Sequence, residues 1–182
     1  MTDVKLAKAY EKMADEKLTP TIFYTQNMFI KGEALSKENI RVSTWLRTVA
    51  MPDFVHIFNA QLLVFGAGAV QSATYQELLV PTPQILAYHM LPPAKDAVDY
   101  DEAEPNRKME PCTLLVGTFR MNGHVRMASQ FDLCKNLEVN RSSFMSIYEV
   151  EISNPALPNM GVIHVPMMLI RPNTVAFGLR TS

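Results

Sequence analysis

The chain has 182 residues, 17 Lys and Arg against 18 Asp and Glu, 48% apolar side chains and 2 Cys. A net charge of −1 gives no cationic field for nucleic acid or an anionic membrane surface, no apolar run reaches the ~18 residues of a spanning helix, and two cysteines cannot form a disulfide scaffold. The expected class is a globular protein of a reducing, cytoplasmic compartment, and the opening MTDVKLAKAYEKMADEK is too polar for a signal peptide.

In chain order, residues 3–18 predict a helix. Leu6, Tyr10 and Met13 fall on one stripe at i, i+4 and i+7, the Lys17 stem extends it, and Thr19-Pro20 ends it. After Pro20 the texture becomes short runs of Phe, Val, Ile, Tyr and Thr between Gly, Pro and Asn, which is strand chemistry. Residues 92–110 hold three prolines and nine charged residues with net charge −3, and read as a solvated connector. The expected organisation is a helix over 1–19, one unit over 20–91, the connector over 92–110 and a second unit over 111–182.

The two units align with each other. Met28–Ala34 matches Phe119–Val125 at an offset of 91, Phe54–Leu62 matches Phe144–Ile152 at 90, and Pro83–Tyr88 matches Pro172–Phe177 at 89. Three matches in one order at nearly constant spacing predict a tandem duplication. Within each unit, Lys31-Gly32 and Asn122-Gly123 predict two-residue hairpin turns. Ser43 and Ser129 are the expected N-caps of short helices. The Phe54 and Phe144 segments are long strands whose buried face switches partway, as at a bulge. Leu78–Tyr88 and Met167–Phe177 are expected hairpins. The resulting fold class is all-β with short helices: two small five-stranded, barrel-like units, related by a pseudo-two-fold axis and preceded by an N-terminal helix. Units of ~70 residues rarely stabilise themselves alone, so they are expected to bury surface against each other, with the Met-rich second half (Met121, Met127, Met145, Met160, Met167, Met168) fitting an irregular interface.

The Gly hairpin, Arg41-Val42-Ser43-Thr44-Trp45-Leu46, Phe54…Asn59-Ala60 and Leu79-Val80…Gln84-Ile85 in this order resemble a family of short, uncharacterised bacterial domains. That resemblance implies an architecture and no activity. Ile170-Arg171-Pro172-Asn173-Thr174-Val175 is distantly similar to a motif of Sm-like RNA-binding barrels, which implies RNA binding as an alternative function.

No pattern carries catalysis. Gly66-Ala67-Gly68 lacks the remainder of a phosphate-binding loop and reads as a connector. His56, His89, His124 and His164 have no metal-ligand spacing, so no metal is expected. Cys112 and Cys134 read as small apolar residues rather than a redox pair. Glu149 and Glu151 share one strand face and point to water rather than forming an acid–base pair. Arg120, Arg126, Arg141, Arg171 and Arg180 make the second half slightly basic, as a solvated exterior. No catalytic residue and no cofactor is expected. The expectation is a non-enzymatic binding or assembly module acting at the junction of the repeats, with a protein partner or a second copy of the chain as its ligand and no membrane. The alternatives are Sm-like binding of RNA or single strands, and a small-molecule or flavin-binding barrel. Trp45, His56, Phe131 and Arg171 are the candidate ligand-binding residues.

Overall fold

A computed structural model describes residues 10–49, 51–66 and 68–179. Ten strands form a single antiparallel sheet with two short helices. The strands are β1 (Glu16–Tyr24), β2 (Met28–Lys37), β3 (Phe54–Val64), β4 (Gln71–Pro81), β5 (Ala87–Met90), β6 (Arg107–Val116), β7 (Phe119–Ala128), β8 (Met145–Ser153), β9 (Ile163–Ile170) and β10 (Ala176–Gly178). Helix α1 (Val42–Trp45) lies between β2 and β3, and α2 (Leu133–Val139) between β7 and β8. Across the sheet the order is β4-β3-β2-β1-β5, then β9-β8-β7-β6-β10. Each half therefore contributes five strands in the same internal order, and β5 against β9 joins the halves.

The fold is all-β with short helices as expected; the strands of the two expected barrel-like units lie in one continuous sheet that is not closed, and β4 and β10 each pair on one side only among the described residues. The expected terminal hairpins are absent. Strand β4 leads through a 3-10 turn (Thr82–Gln84) to β5, which pairs with β1 and β9; β9 leads through Pro172–Thr174 to β10, which pairs with β6. Five linking residues reach at most about 20 Å; in a flat group Ala87 would lie level with Ser72, about 30 Å along β4 from Pro81 as well as about 19 Å across the strands, so the group must curl to bring its first and last strands together. The pseudo-two-fold is also corrected. With strands matched in order, β5 is the fifth of its group and β9 the fourth of the other, and a two-fold axis would join like edges.

Of the expected N-terminal helix, residues 1–9 lie outside the described residues. Residues 10–15 are irregular, and β1 already begins at Glu16. Pro20 interrupts nothing there. The Leu91 backbone N–H donates to its carbonyl at 3.0 Å, so its missing N–H would face the β5 side just beyond where that strand ends.

Gly32 and Gly123 are not turn residues. Both sit in mid-strand, at the register shifts of β2 against β3 and β7 against β8. A Cβ on Gly32 would lie 2.6 Å from Ile57 Cγ2 and 2.9 Å from the Phe58 carbonyl; on Gly123 it would lie 2.8 Å from Ile147 Cγ2 and 3.0 Å from the Tyr148 carbonyl. Close strand approach, not turn geometry, requires glycine. The bulges expected in the partner strands are present, with Asn59 and Glu149 both at φ 50°. Helix α1 falls where expected, α2 begins only at Leu133, where the stretch expected from Ser129 ends, and both have other caps. Asp132, not Ser129, caps α2, accepting from the Lys135 N–H at 2.7 Å, and Ser43 lies inside α1, where Arg41 is the N-cap.

Two apolar cores exchange residues across the join. Ile22, Tyr24, Leu86 and Ala87 of the first half pack with Leu114, Met121, Met127, Met168 and Ile170 of the second. Phe144 and Leu169 of the second half pack with Phe23, Ile30, Ile57 and Tyr88 of the first. Fully burying one such aromatic contributes about 1.5–3 kcal/mol.

Candidate functional site

The join is a built structure. At its centre Tyr88 of β5 pairs with Leu169 of β9, and the Arg171 backbone N–H donates to the Leu86 carbonyl at 2.7 Å. The Arg171 side chain then turns back on the first half. Its Nε donates to the Ile85 carbonyl at 3.1 Å, its Nη2 donates to the Thr82 carbonyl at 3.0 Å, and its guanidinium carbon stands 4.5 Å from the Phe144 ring centre. Burial depresses its pKa, and these contacts hold the charge in place.

The connector takes part as well. Although expected to be solvated, it docks through two carboxylates and one ring. Asp96 is buried, accepting from the Ser43 hydroxyl at 2.8 Å and the Tyr88 hydroxyl at 3.3 Å. Asp99 accepts from Tyr148 at 2.6 Å, from Ser146 at 2.7 Å and from Arg47, so it ties α1's flank to β8. Partial burial raises the Asp99 pKa, but these hydrogen bonds and the Arg47 charge outweigh it, and the net shift is downward. Tyr100 packs edge-on against Tyr148, with the Arg126 guanidinium 4.8 Å from its ring centre. A polar recess of about 360 Å³ opens beside this network, lined by Arg47, Asp99, Arg126, Asn136, Asn140 and Tyr148 among others.

A larger cleft of about 890 Å³ lies wholly in the second half, against the bulge of β7 and β8. Cys112, Val150 and Val165 give it apolar wall. His124, Glu149, Glu151 and His164 give it polar rim, with His124 Nδ1 3.5 Å from Glu149 and His164 Nδ1 3.9 Å from Glu151. Glu149 and Glu151 are exposed. Burial pushes the Cys112 thiol up to about 11. No group of three or more His, Cys, Asp or Glu among the described residues is arranged to hold a metal ion, and no described helix is long and apolar enough to cross a membrane.

The four candidate residues do not converge, and none lines either cavity. Trp45 is half-buried on the core that holds Phe23, Tyr88 and Phe144. His56 bonds Glu77 of the neighbouring strand, stacks on Phe58 at 4.5 Å and meets the edge of Tyr10. Phe131 is half-buried in the bend leading to α2. Arg171 alone sits at the join. The arginines of the second half are not one surface: Arg126 is held by Glu104 and the Asp101 carbonyl, Arg171 by the first half, and Arg180 lies outside the described residues. Gly66 and Gly68 do lie in the link between β3 and β4, with Ala67 outside the described residues.

The residues that organise the join, Tyr24, His89, Asp96 and Asp99, carry no motif. Their partners lie 65, 53 and 49 positions away. Compared with family models, curated proteins and solved structures, the chain matches none.

Proposed function

We propose that the chain is a non-enzymatic assembly module made of two copies of one curled five-stranded unit, whose binding surfaces are strand edges. Support for the duplication comes from paired details. Gly32 and Gly123 occupy matching bulges, Asn59 and Glu149 share φ 50°, and each bonds or faces the equivalent partner: Asn59 donates to Glu33 at 2.8 Å, and Glu149 faces His124 at 3.5 Å. One observation carries the assembly reading. The halves are joined through unlike edges, β5 to β9, so one edge of each kind is left over, β10 at one end and β4 at the other. Open edges present unpaired backbone donors and acceptors, which favour pairing with another strand.

Sedimentation velocity across a concentration series tests this reading. Association that persists at high salt supports it, because backbone pairing and apolar burial are weakly screened, whereas a monomer at every concentration overturns it. A gel shift with mixed oligonucleotides at low salt would instead support the RNA alternative.

A second reading, a small-molecule site, draws on the 890 Å³ cleft, whose size and mixed lining suit a ligand. A thermal shift against a cofactor panel, lost in Val150→Trp, would support it.

A further inference from the structure

We infer that the partner for these edges is a second copy of this chain, added head to tail, with β10 of one chain pairing with β4 of the next. This inference rests on the assembly reading above and names its partner. Its basis is a difference in burial between equivalent residues. Strand β3 matches β8 at an offset of 90, and the ladders place Leu79 opposite His56 and Leu169 opposite Ser146, so Leu79 corresponds to Leu169. Strand β5 matches β10 at 89, and Tyr24 opposite Ala87 corresponds to Leu115 opposite Ala176.

At the internal join, Phe144 is 1%, Leu169 0% and Tyr24 0% exposed. Their counterparts at the free ends, Phe54, Leu79 and Leu115, are 52%, 56% and 54% exposed. Large apolar side chains at positions that the join covers are thus repeated, uncovered, at both ends. One end carries the equivalent of the β9 face and the other the equivalent of the β5 face. The chain holds both halves of a seam it has already made once.

The register of the second seam follows from the first. Tyr88 opposite Leu169 and Ala87 opposite Ile170 translate to Phe177 opposite Leu79 and Ala176 opposite Val80 of the next chain. One element is missing. Pro81 and Arg171 both immediately precede their 3-10 turns, and Pro81 lacks both the backbone N–H that Arg171 gives to Leu86 and the guanidinium that grips Ile85 and Thr82. The seam between chains is therefore weaker than the one within, and reversible.

Because the two surfaces differ, mixing variants tests the inference. Leu79→Lys disables the β4 face and Leu115→Lys the β10 face; both side chains are exposed, so folding is retained, and Phe54→Gln is a second β4-face variant. Each alone should weaken association by about tenfold or more. An equimolar mixture of Leu79→Lys and Leu115→Lys, each with one sound face, should give dimers by native mass spectrometry and nothing larger. Pro81→Arg should strengthen association. If Leu115→Lys dimerises as well as the wild-type chain, pairing is symmetric through β4, which overturns this inference and leaves the assembly reading standing. If the wild-type chain never associates, both fall.

Discussion

The Tyr24 hydroxyl lies 3.0 Å from His89 Nε2 in the buried join, and His89 Nδ1 lies 2.8 Å from the Met90 carbonyl. A carbonyl only accepts, so Nδ1 carries the proton and Nε2 accepts from Tyr24; the imidazole is neutral. Burial is the main cause that lowers the His89 pKa, to about 4, against a smaller opposing effect of the Met90 carbonyl. The unfolded chain takes up a proton near pH 6.5, whereas the folded chain resists until about pH 4. The stability from neutral His89 is thus complete above about pH 6.5 and is lost as pH falls toward 4, by about 3 kcal/mol in all. Urea unfolding of the wild-type chain and His89→Gln across that window should show a steeper pH slope for the wild type; equal slopes would refute the assignment.

Gly123→Ala and Gly32→Ala should each destabilise by about 1–3 kcal/mol, because the new methyl meets a neighbouring strand's backbone carbonyl as well as an isoleucine methyl. Gly32 should be the more sensitive, its contacts being 2.6 and 2.9 Å against 2.8 and 3.0 Å. Denaturant midpoints of the two variants provide the comparison.

Arg171→Met keeps the stem but takes the guanidinium donor from the Ile85 carbonyl and leaves the Thr82 carbonyl with the Ile85 backbone N–H alone. A loss of about 1–3 kcal/mol is expected. Arg171→Lys should recover little of it, since one ammonium cannot reproduce the planar fork and the stacking on Phe144. Thermal melts of the three proteins decide the point.

Thiol labelling should show one fast and one slow cysteine. Cys134 is exposed, whereas Cys112 is buried with its thiol pushed up to about 11 by burial and, secondarily, by Glu110. Cys134→Ser should abolish the fast phase; a fast phase that remains would place Cys112 in contact with solvent.

Asp99→Asn should loosen the connector, because the anion that Tyr148, Ser146 and Arg47 all approach is removed. Limited proteolysis should then cut between residues 92 and 106 faster than in the wild-type chain, with Asp101→Asn as a control outside the network.

The strands were legible because alternation is a short-range signal. Phe54–Leu62 and Phe144–Ile152 could be matched by eye, and the face switch at Asn59 and Glu149 appeared as a change in alternation. The glycines misled because Lys-Gly and Asn-Gly have the composition of a tight turn, and only the approach of Ile57 and Ile147 explains them. Likewise Leu78–Tyr88 looked like a hairpin, since nothing in the residues around Pro83 says that the next strand joins the opposite edge. Asp96 and Asp99 were hidden in a segment whose charge suggested solvent, because their partners come from both distant halves.

Residues 91–106 link β5 to β6 and so tie one half to the other. Two residue pairs form the ladder between β5 and β9, so that ladder by itself would join two free proteins weakly and reversibly. A tether this short raises the effective concentration of one half at the other's edge toward the millimolar range. Covalent linkage thereby makes permanent a contact that, between separate molecules, would come and go with their abundance.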